Sequence, residues 1–495
     1  MVIGQGVAQH SGSIGGREDI EILKLDKHGL PLIPQPTSRK DDPLNWSPPL
    51  KALVLLQVSW LAFLGPLGAA IVNPAFLLLS KEFNISVVQV SYELTVYIIA
   101  AGVGPLLTLP LANIYGRRPV YVLGTLVAAA TNIAAGYCKS WSGLMVTRVF
   151  NGIASGSPIA IGPATVCDLY YSHERGFYMG IYTLFLTNGA HVAPLIGGFV
   201  SQSLGWRWAF LIPGYVQLAT LVFTLLCLPE TLYSRQPVST DSESSFADLL
   251  LFKNMEFQNT KLHWSDFLRP FYMLKYIPIV IPGLYYMTAF GFGSVLFATT
   301  GAHIFSELYH FNVAQTGLIL SIPLFIGCLL GEMCAGWVTD YMVYRHAKAH
   351  GGRREPEPRI NALVLAVLCP IGIIIDGVCL SHHSTISWIG PAVGMGLANF
   401  GMQIATTVTY TYCTDCYRPQ SSEVSSILNV FRHIFSMTTS FYAIPLGESI
   451  GYQYAWLIFA LINVVFLIMM VLLRLNGSRW RNSAWQKPPT FHNDI

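Results

Sequence analysis

Charge is scarce in this chain: Asp, Glu, Lys and Arg supply only 11% of its 495 residues, against 53% for the hydrophobic types. With a mean hydropathy of +0.48, that excludes a water-soluble domain, whose charged fraction is roughly a quarter. Cysteines are few, nine in all, and scattered mostly through apolar stretches, so no disulfide framework is expected. Cys413 and Cys416 form a lone C-x-x-C with neither a second pair nor a histidine cluster beside it, and no metal site follows from it. There is no G-x-x-x-x-G-K-[ST] sequence to cradle a nucleotide phosphate. Period-2 alternation is missing from the apolar runs, which removes a transmembrane barrel. The first 45 residues lack an apolar signal region and read as a disordered cytoplasmic tail without a cleaved leader. The net charge of +3 gives no reason to expect a nucleic-acid partner.

What the chain has in abundance is apolar runs of roughly 20 residues, enough to cross about 30 Å of hydrocarbon as helix. Six fall near 50–72, 91–111, 119–137, 143–165, 177–200 and 208–228, and six more near 276–300, 315–337, 361–380, 386–412, 423–445 and 453–474. The expected fold is therefore an all-α integral membrane protein with twelve transmembrane helices in two six-helix bundles, 50–228 and 276–475. The cytoplasmic parts would be an N-tail (1–49), a linker (229–275) holding the Ser-rich run 239–245 and an amphipathic stretch at 264–271, and a C-tail (476–495). With both termini in the cytosol most of the 29 Lys and Arg fall inside, Lys81, Lys139 and Arg207 fall outside, and Arg148 and Arg432 lie within spans; this asymmetry favours that orientation. The sequon at Asn84 then faces outward and can be glycosylated.

The two halves carry copies of the same marks. Leu109-Pro-Leu-Ala-Asn-Ile-Tyr-Gly-Arg-Arg-Pro119 is a tight basic turn between two spans, in which Gly116 permits the reversal and Pro119 suits a first helical turn. A reduced copy, Gly336-Trp-Val-Thr-Asp-Tyr-Met-Val-Tyr-Arg345, follows span eight. Cys167-Asp168-Leu169-Tyr170 closes the fourth span as Thr414-Asp415-Cys416-Tyr417 closes the tenth.

The first turn resembles the G-x-L-A-D-x-x-G-R-R signature of the major facilitator superfamily, with Asn113 in place of the Asp. Leu144-x-x-x-Arg148-x-x-Asn151-Gly152 resembles the family's fourth-helix motif, and Gly189-x-x-x-Ala193-Pro194-x-x-Gly197-Gly198 its fifth-helix antiporter motif, with Ala193 where the pattern has Gly. Asp42-Pro-Leu-Asn-Trp46, Glu174-Arg175-Gly176 and Leu228-Pro-Glu-Thr231 are similar to the fungal drug:H⁺ antiporter-like branch, and Gly351-Gly-Arg-Arg-Glu-Pro-Glu357 to its polyamine and cation transporter subgroup. The resemblance implies two pseudo-symmetric bundles around a midplane cavity that opens to one side at a time. It also implies a conformational latch in which Arg117 and Arg118 meet Asp168, copied in the second half by Arg345 with Asp415, with Asp340 as the charged equivalent of Asn113.

Charges inside spans need partners or functions. Arg148 is expected to pair with Glu93 or with amides such as Asn151; Glu332 is a candidate proton site, with a pair to Arg432 as one option, and Asp376 is a weaker candidate. His191, within the fifth-helix motif, is a packing residue or a titrating one, and Gly189, Pro194, Gly197 and Gly198 would let that helix bend and pack closely. Gln57, Trp60, Asn151, Tyr285, Tyr286, Asn399 and Gln403 are the expected cavity lining, with Asn399 and Gln403 sharing a face at i, i+4. Aromatics with few charges would suit an amphipathic or cationic solute. The expected protein is a monomeric secondary transporter in the plasma membrane, or alternatively the vacuolar one. It uses a proton gradient and no cofactor, is not an enzyme, and exports a small organic solute. Import of polyamine-like cations is the alternative reading, and a non-transporting sensor a more remote one.

Overall fold

Proline and glycine set where the first helices start and stop. In the computed structural model, which describes residues 32, 34–37, 39–171, 174–233, 262–349, 356–417 and 420–481, α1 (Pro48–Ala70) opens on two prolines whose missing N–H groups cost a first turn nothing. A 3-10 turn at Asn73–Ala75 breaks the helix before α2 (Phe76–Phe83) continues it. A capping box between Ser86 and Gln89 starts α3 (Val87–Tyr115), and Gly116, at φ 98°, reverses the chain into α4 (Arg117–Tyr137). Next come α5 (Trp141–Leu169), α6 (Arg175–Leu204) and α7 (Trp208–Cys227).

The second half opens with the short α8 (Trp264–Tyr272), whose Trp264 is exposed, in the stretch expected to be amphipathic. α9 (Ile277–Phe290) runs through a π-helical segment, Gly291–Val295, into α10 (Leu296–Tyr309). After α11 (Val313–Ala349), a 3-10 stretch (Glu357–Val367) leads into α12 (Leu368–Ser381), followed by α13 (Ile389–Cys416), α14 (Ser421–Ile450) and α15 (Tyr452–Arg481). The described residues hold no strand. The Ser-rich linker run, the loop at 351–355 and the side chain of Asp340 lie outside the described residues.

Among the described residues, nine helical stretches are long and apolar enough to cross a membrane. α5, α13 and α14 have 29, 28 and 30 residues but are more polar, and they stand where the sequence puts spans four, ten and eleven. Their polarity has a cause: Arg148, Asn399, Gln403, Asn429 and Arg432 are buried against protein and do not face lipid.

Helix pairing carries the repeat. In the first half α1 packs on α6, α3 on α5 and α4 on α7; in the second α9 packs on α14, α11 on α13 and α12 on α15. The halves meet along two seams, α6 against α11 and α3 against α14. Among the described residues, hydrogen bonds that cross between them include Thr95 to Ser440 at 2.7 Å, the Ala314 N–H to Gln202 at 2.9 Å, and His191 with Ser294 at 3.3 Å. These three lie at mid-depth or beyond it, toward the end of the bundle opposite Arg117 and Asp168. We call these ends the far end and the basic end.

Candidate functional site

Small residues let the seam close. A Cβ on Gly198 would lie 2.9 Å from the Val313 carbonyl oxygen and 3.0 Å from the Gly317 Cα of the other half. Gly317 in turn leaves no room for a Cβ beside the Pro194 carbonyl, while Gly189 and Gly197 face the α1 backbone at Phe63 and Ile71. The fifth-helix motif thus packs α6 against its own half with two glycines and against the opposite half with a third.

Below this contact the halves enclose a cavity of about 90 Å³. Asn73, Tyr97, His191, Ser294, Arg432 and His433 supply its polar wall, and Leu94, Phe290, Leu320 and Leu324 are among its apolar lining. At roughly 30 Å³ per water it has room for a few waters. The π-helical segment contributes Ser294 and Val295 to the wall, in keeping with irregular backbone at membrane depth being tolerated where it lines a cavity.

Arg432 reaches this cavity from α14. Its Nη1 donates to the Tyr286 hydroxyl at 3.2 Å, and its guanidinium lies over the Phe290 ring, 4.8 Å from the centroid. Glu332 occupies the other seam. Gln403 Nε2 and Thr407 Oγ1 donate to its Oε2 at 2.6 and 2.7 Å, and Oε1 lies 3.6 Å from where a Cβ on Gly180 of the first half would sit. Arg432 and Glu332 are therefore engaged separately, not with each other.

Arg148 is braced wholly within its own half. It forms an ion pair with Glu93, donates to Asn132 at 3.2 Å and to the Gly68 carbonyl at 3.0 Å, and lies over the Phe210 ring. Asn132 extends the network to Gln217 at 2.8 Å, so one buried guanidinium ties α1, α3, α4, α5 and α7 together. Removing water from two charges is costly, and the surrounding hydrogen bonds are what make such a pair tolerable.

At the basic end, Arg117 bonds Asp168 at 2.9 Å. Glu230, past α7, accepts from the backbone N–H groups of Arg117 and Arg118, both at 3.0 Å, capping α4 with a carboxylate where the helix dipole favours one. Arg118 Nη2 donates to the Leu225 carbonyl at 2.7 Å. The second half repeats the scheme with a different arginine: Arg359, in the 3-10 stretch, bonds Asp415 at 2.8 Å, and Arg481 of α15 pairs with Glu357 at 3.3 Å. These pairs tie helices within each half.

The observation that decides the family is a match of the Major Facilitator Superfamily model to residues 58–437. This chain belongs to the major facilitator superfamily. It is an integral, multi-pass membrane transporter and not an enzyme. Among its relatives, "MFS transporter cpaT" of Aspergillus oryzae is 30% identical over 399 residues, covering 79% of this chain and 80% of that one. "Efflux pump radE" of Floropilus chiversii is 28% identical over 449 residues, covering 89% and 83%. The crystal structure of the human organic anion transporter MFSD10 (TETRAN) matches the fold with a TM-score of 0.58 at 16% identity, covering 86% of this chain and 100% of that one.

Several residues expected to act together in this major facilitator lie elsewhere. Arg345 is exposed on the extended end of α11, because the helix runs beyond the turn of the first half and hands the Asp415 contact to Arg359. Trp60 turns to α7, donating to Thr220 at 3.1 Å, and Asn151 bonds the Ala128 carbonyl and Thr131 on α4; both belong to helix packing and not to the cavity wall. Gln57 and Tyr285 are buried but are not among the residues that line the cavity, and Asn399 donates to the Leu324 carbonyl on α11. Asp376 accepts from the Trp456 indole at 2.7 Å, bracing α12 against α15. Asn113 lies in the last turn of α3. Cys413 and Cys416 are free thiols. Although no metal cluster was expected, His303, Glu307 and Glu448 gather at the far end, with His303 Nε2 at 3.3 and 3.0 Å from the two carboxylates.

Asn73, Tyr97 and Ser294 escaped the sequence reading. Two signals were present: the Asn73-Pro74 break at the end of the first apolar run, and Gly291-Phe-Gly-Ser294, whose closely spaced glycines mark irregular helix.

Proposed function

We propose that this major facilitator is a proton-coupled exporter of small organic solutes in the plasma membrane, with the basic end and both termini in the cytosol. Glu332 carries the reading. It is a carboxyl group in a span, on the seam between the halves, held by two neutral donors with its second oxygen toward Gly180. A carboxyl group on a moving interface can face one aqueous space and then the other, which is what coupling to a proton gradient requires. Solute would enter between the halves from the basic end when the Gly198–Gly317 contact is made, and leave when that contact parts. The far-end contact and the midplane cavity support this order, and a relative named an efflux pump supports the direction.

The test is efflux from vesicles holding the purified protein in one orientation, with a solute panel and an imposed pH gradient. Export that rises with the gradient and stops when a protonophore collapses it supports the reading. Export indifferent to the gradient overturns it.

A further inference from the structure

The midplane cavity has a marked charge imbalance. Asp and Glu are absent from the residues that line it, whereas Arg432, His191 and His433 all do. Arg432 is 7% exposed, and among the described residues its hydrogen-bond partner is the Tyr286 hydroxyl; its Nε is buried with none. Tyr410, Tyr182, Tyr97 and His433 are among its other electrostatic neighbours, and none of them is a carboxylate. The two carboxylates that could have neutralised it are held elsewhere, Glu93 by Arg148 and Glu332 by Gln403 and Thr407. This contrasts with Arg148, whose charge is cancelled by Glu93 at full burial.

Leaving a guanidinium without a counter-ion in a span is expensive. Some of the cavity's other polar atoms are unsatisfied too: both side-chain polar atoms of Asn73, the Tyr97 hydroxyl and the Nδ1 of His191 are buried without a hydrogen-bond partner among the described residues. The Arg432 guanidinium and the Asn73 amide N–H are donors facing a small space walled by Phe290, Leu320 and Leu324. Such a set is complementary to a compact oxyanion attached to an apolar body.

We infer that the cavity, widened as the halves part, binds an amphipathic monoanion, with the solute's carboxylate bonded by Arg432 and its apolar part against Phe290 and the α11 leucines. The inference rests on the transporter reading and names the substrate class of the same site. Guanidinium geometry matches a carboxylate with two parallel donors, and the stacked Phe290 ring orients the guanidinium plane before the solute arrives. A polyamine would meet one fixed positive charge and no compensating carboxylate.

The experiment is equilibrium binding to purified protein in detergent at constant pH, with three probes of one shape: 1-naphthaleneacetate, its neutral amide, and 1-naphthylmethylammonium. No gradient is present, so a failure of proton coupling leaves this result untouched. The wild type should bind the carboxylate at least about tenfold more tightly than the amide, and the ammonium most weakly; a tenfold ratio is about 1.4 kcal/mol. Arg432→Gln should abolish that preference, and Arg432→Lys should keep part of it. If Arg432→Gln does not fold, Tyr286→Phe, which keeps the guanidinium, should retain the anion preference while Arg432→Lys weakens it. Equal or tighter binding of amide or ammonium by the wild type, an unchanged preference in Arg432→Gln or Arg432→Lys, or no saturable binding of the carboxylate overturns the inference.

Discussion

Gly198 of α6 and Gly317 of α11 close the far end of the bundle by direct backbone contact: a Cβ on Gly198 would lie 3.0 Å from the Gly317 Cα. No flexible side chain stands between them to yield. The two helices belong to different halves, so the contact measures how far the halves have closed.

Gly198→Val should therefore hold the far end open. Overpacking costs about 1–3 kcal/mol, which lowers the closed population roughly tenfold. A cysteine at Ala190 in a background without the native thiols should label faster from the far side in this variant. Labelling at the unchanged rate would contradict the assignment. Gly197→Ala is the contrasting case, because its Cβ would strike the Ile71 carbonyl of the same half; it should lower the yield of folded protein whatever the conformational state.

The Arg148–Glu93 pair predicts strong non-additivity. Removing one member of a buried ion pair typically costs about 3–5 kcal/mol, since the other charge is left buried alone, while replacing both with apolar residues is far milder. Arg148→Met and Glu93→Met should each lower the melting temperature sharply, and the double substitution should recover much of the loss. Thermal denaturation in detergent checks this; additive losses would refute it.

The basic end offers a direct comparison of two arginines. Arg359→Ala removes the 2.8 Å bond to Asp415 and should cost about 1 kcal/mol, the upper range for a partly exposed pair. Arg345→Ala, at an exposed position, should change stability by less than about 0.5 kcal/mol. The same melting assay separates them, and the reverse order would restore the Arg345 latch.

Much of the fold is legible in the sequence because burial in lipid imposes one rule on every span: a run of apolar residues of fixed length. Pairs made inside one half were readable too. Asp168 lies at a helix end next to a turn carrying Arg117, and Glu93 was the nearest acid available to Arg148. The exceptions have physical causes. The basic residue of the second latch moved across a longer connection into the next helix, so Arg359 replaced Arg345 without leaving a local mark. Trp60 and Asn151 sit at suitable depths, but depth does not give rotation about the helix axis, and both face α-helical neighbours. The cavity wall depends on how two separately folded halves meet, and only the Asn73-Pro74 and Gly291-Phe-Gly293 irregularities hinted at it.

Asn84, exposed and in the left-handed conformation that ends α2, tests the orientation. If the far end faces the cell exterior, protein made in a glycosylating host should carry one glycan that an endoglycosidase removes and Asn84→Gln abolishes. An unmodified wild type would argue for the opposite orientation or a masked sequon, and impermeant labelling of a cysteine at the same position distinguishes these.

The central claim is that a proton on Glu332 drives movement of the solute, and its most direct measurement pairs two assays on one variant. Wild type and Glu332→Gln are reconstituted side by side. Accumulation of solute is followed under an imposed pH gradient, and solute-for-solute exchange is followed without one. Glu332→Gln should abolish gradient-driven accumulation while exchange continues at a comparable rate, since the amide keeps the contacts to Gln403 and Thr407 but cannot give up a proton. Accumulation by Glu332→Gln equal to that of the wild type would contradict the account.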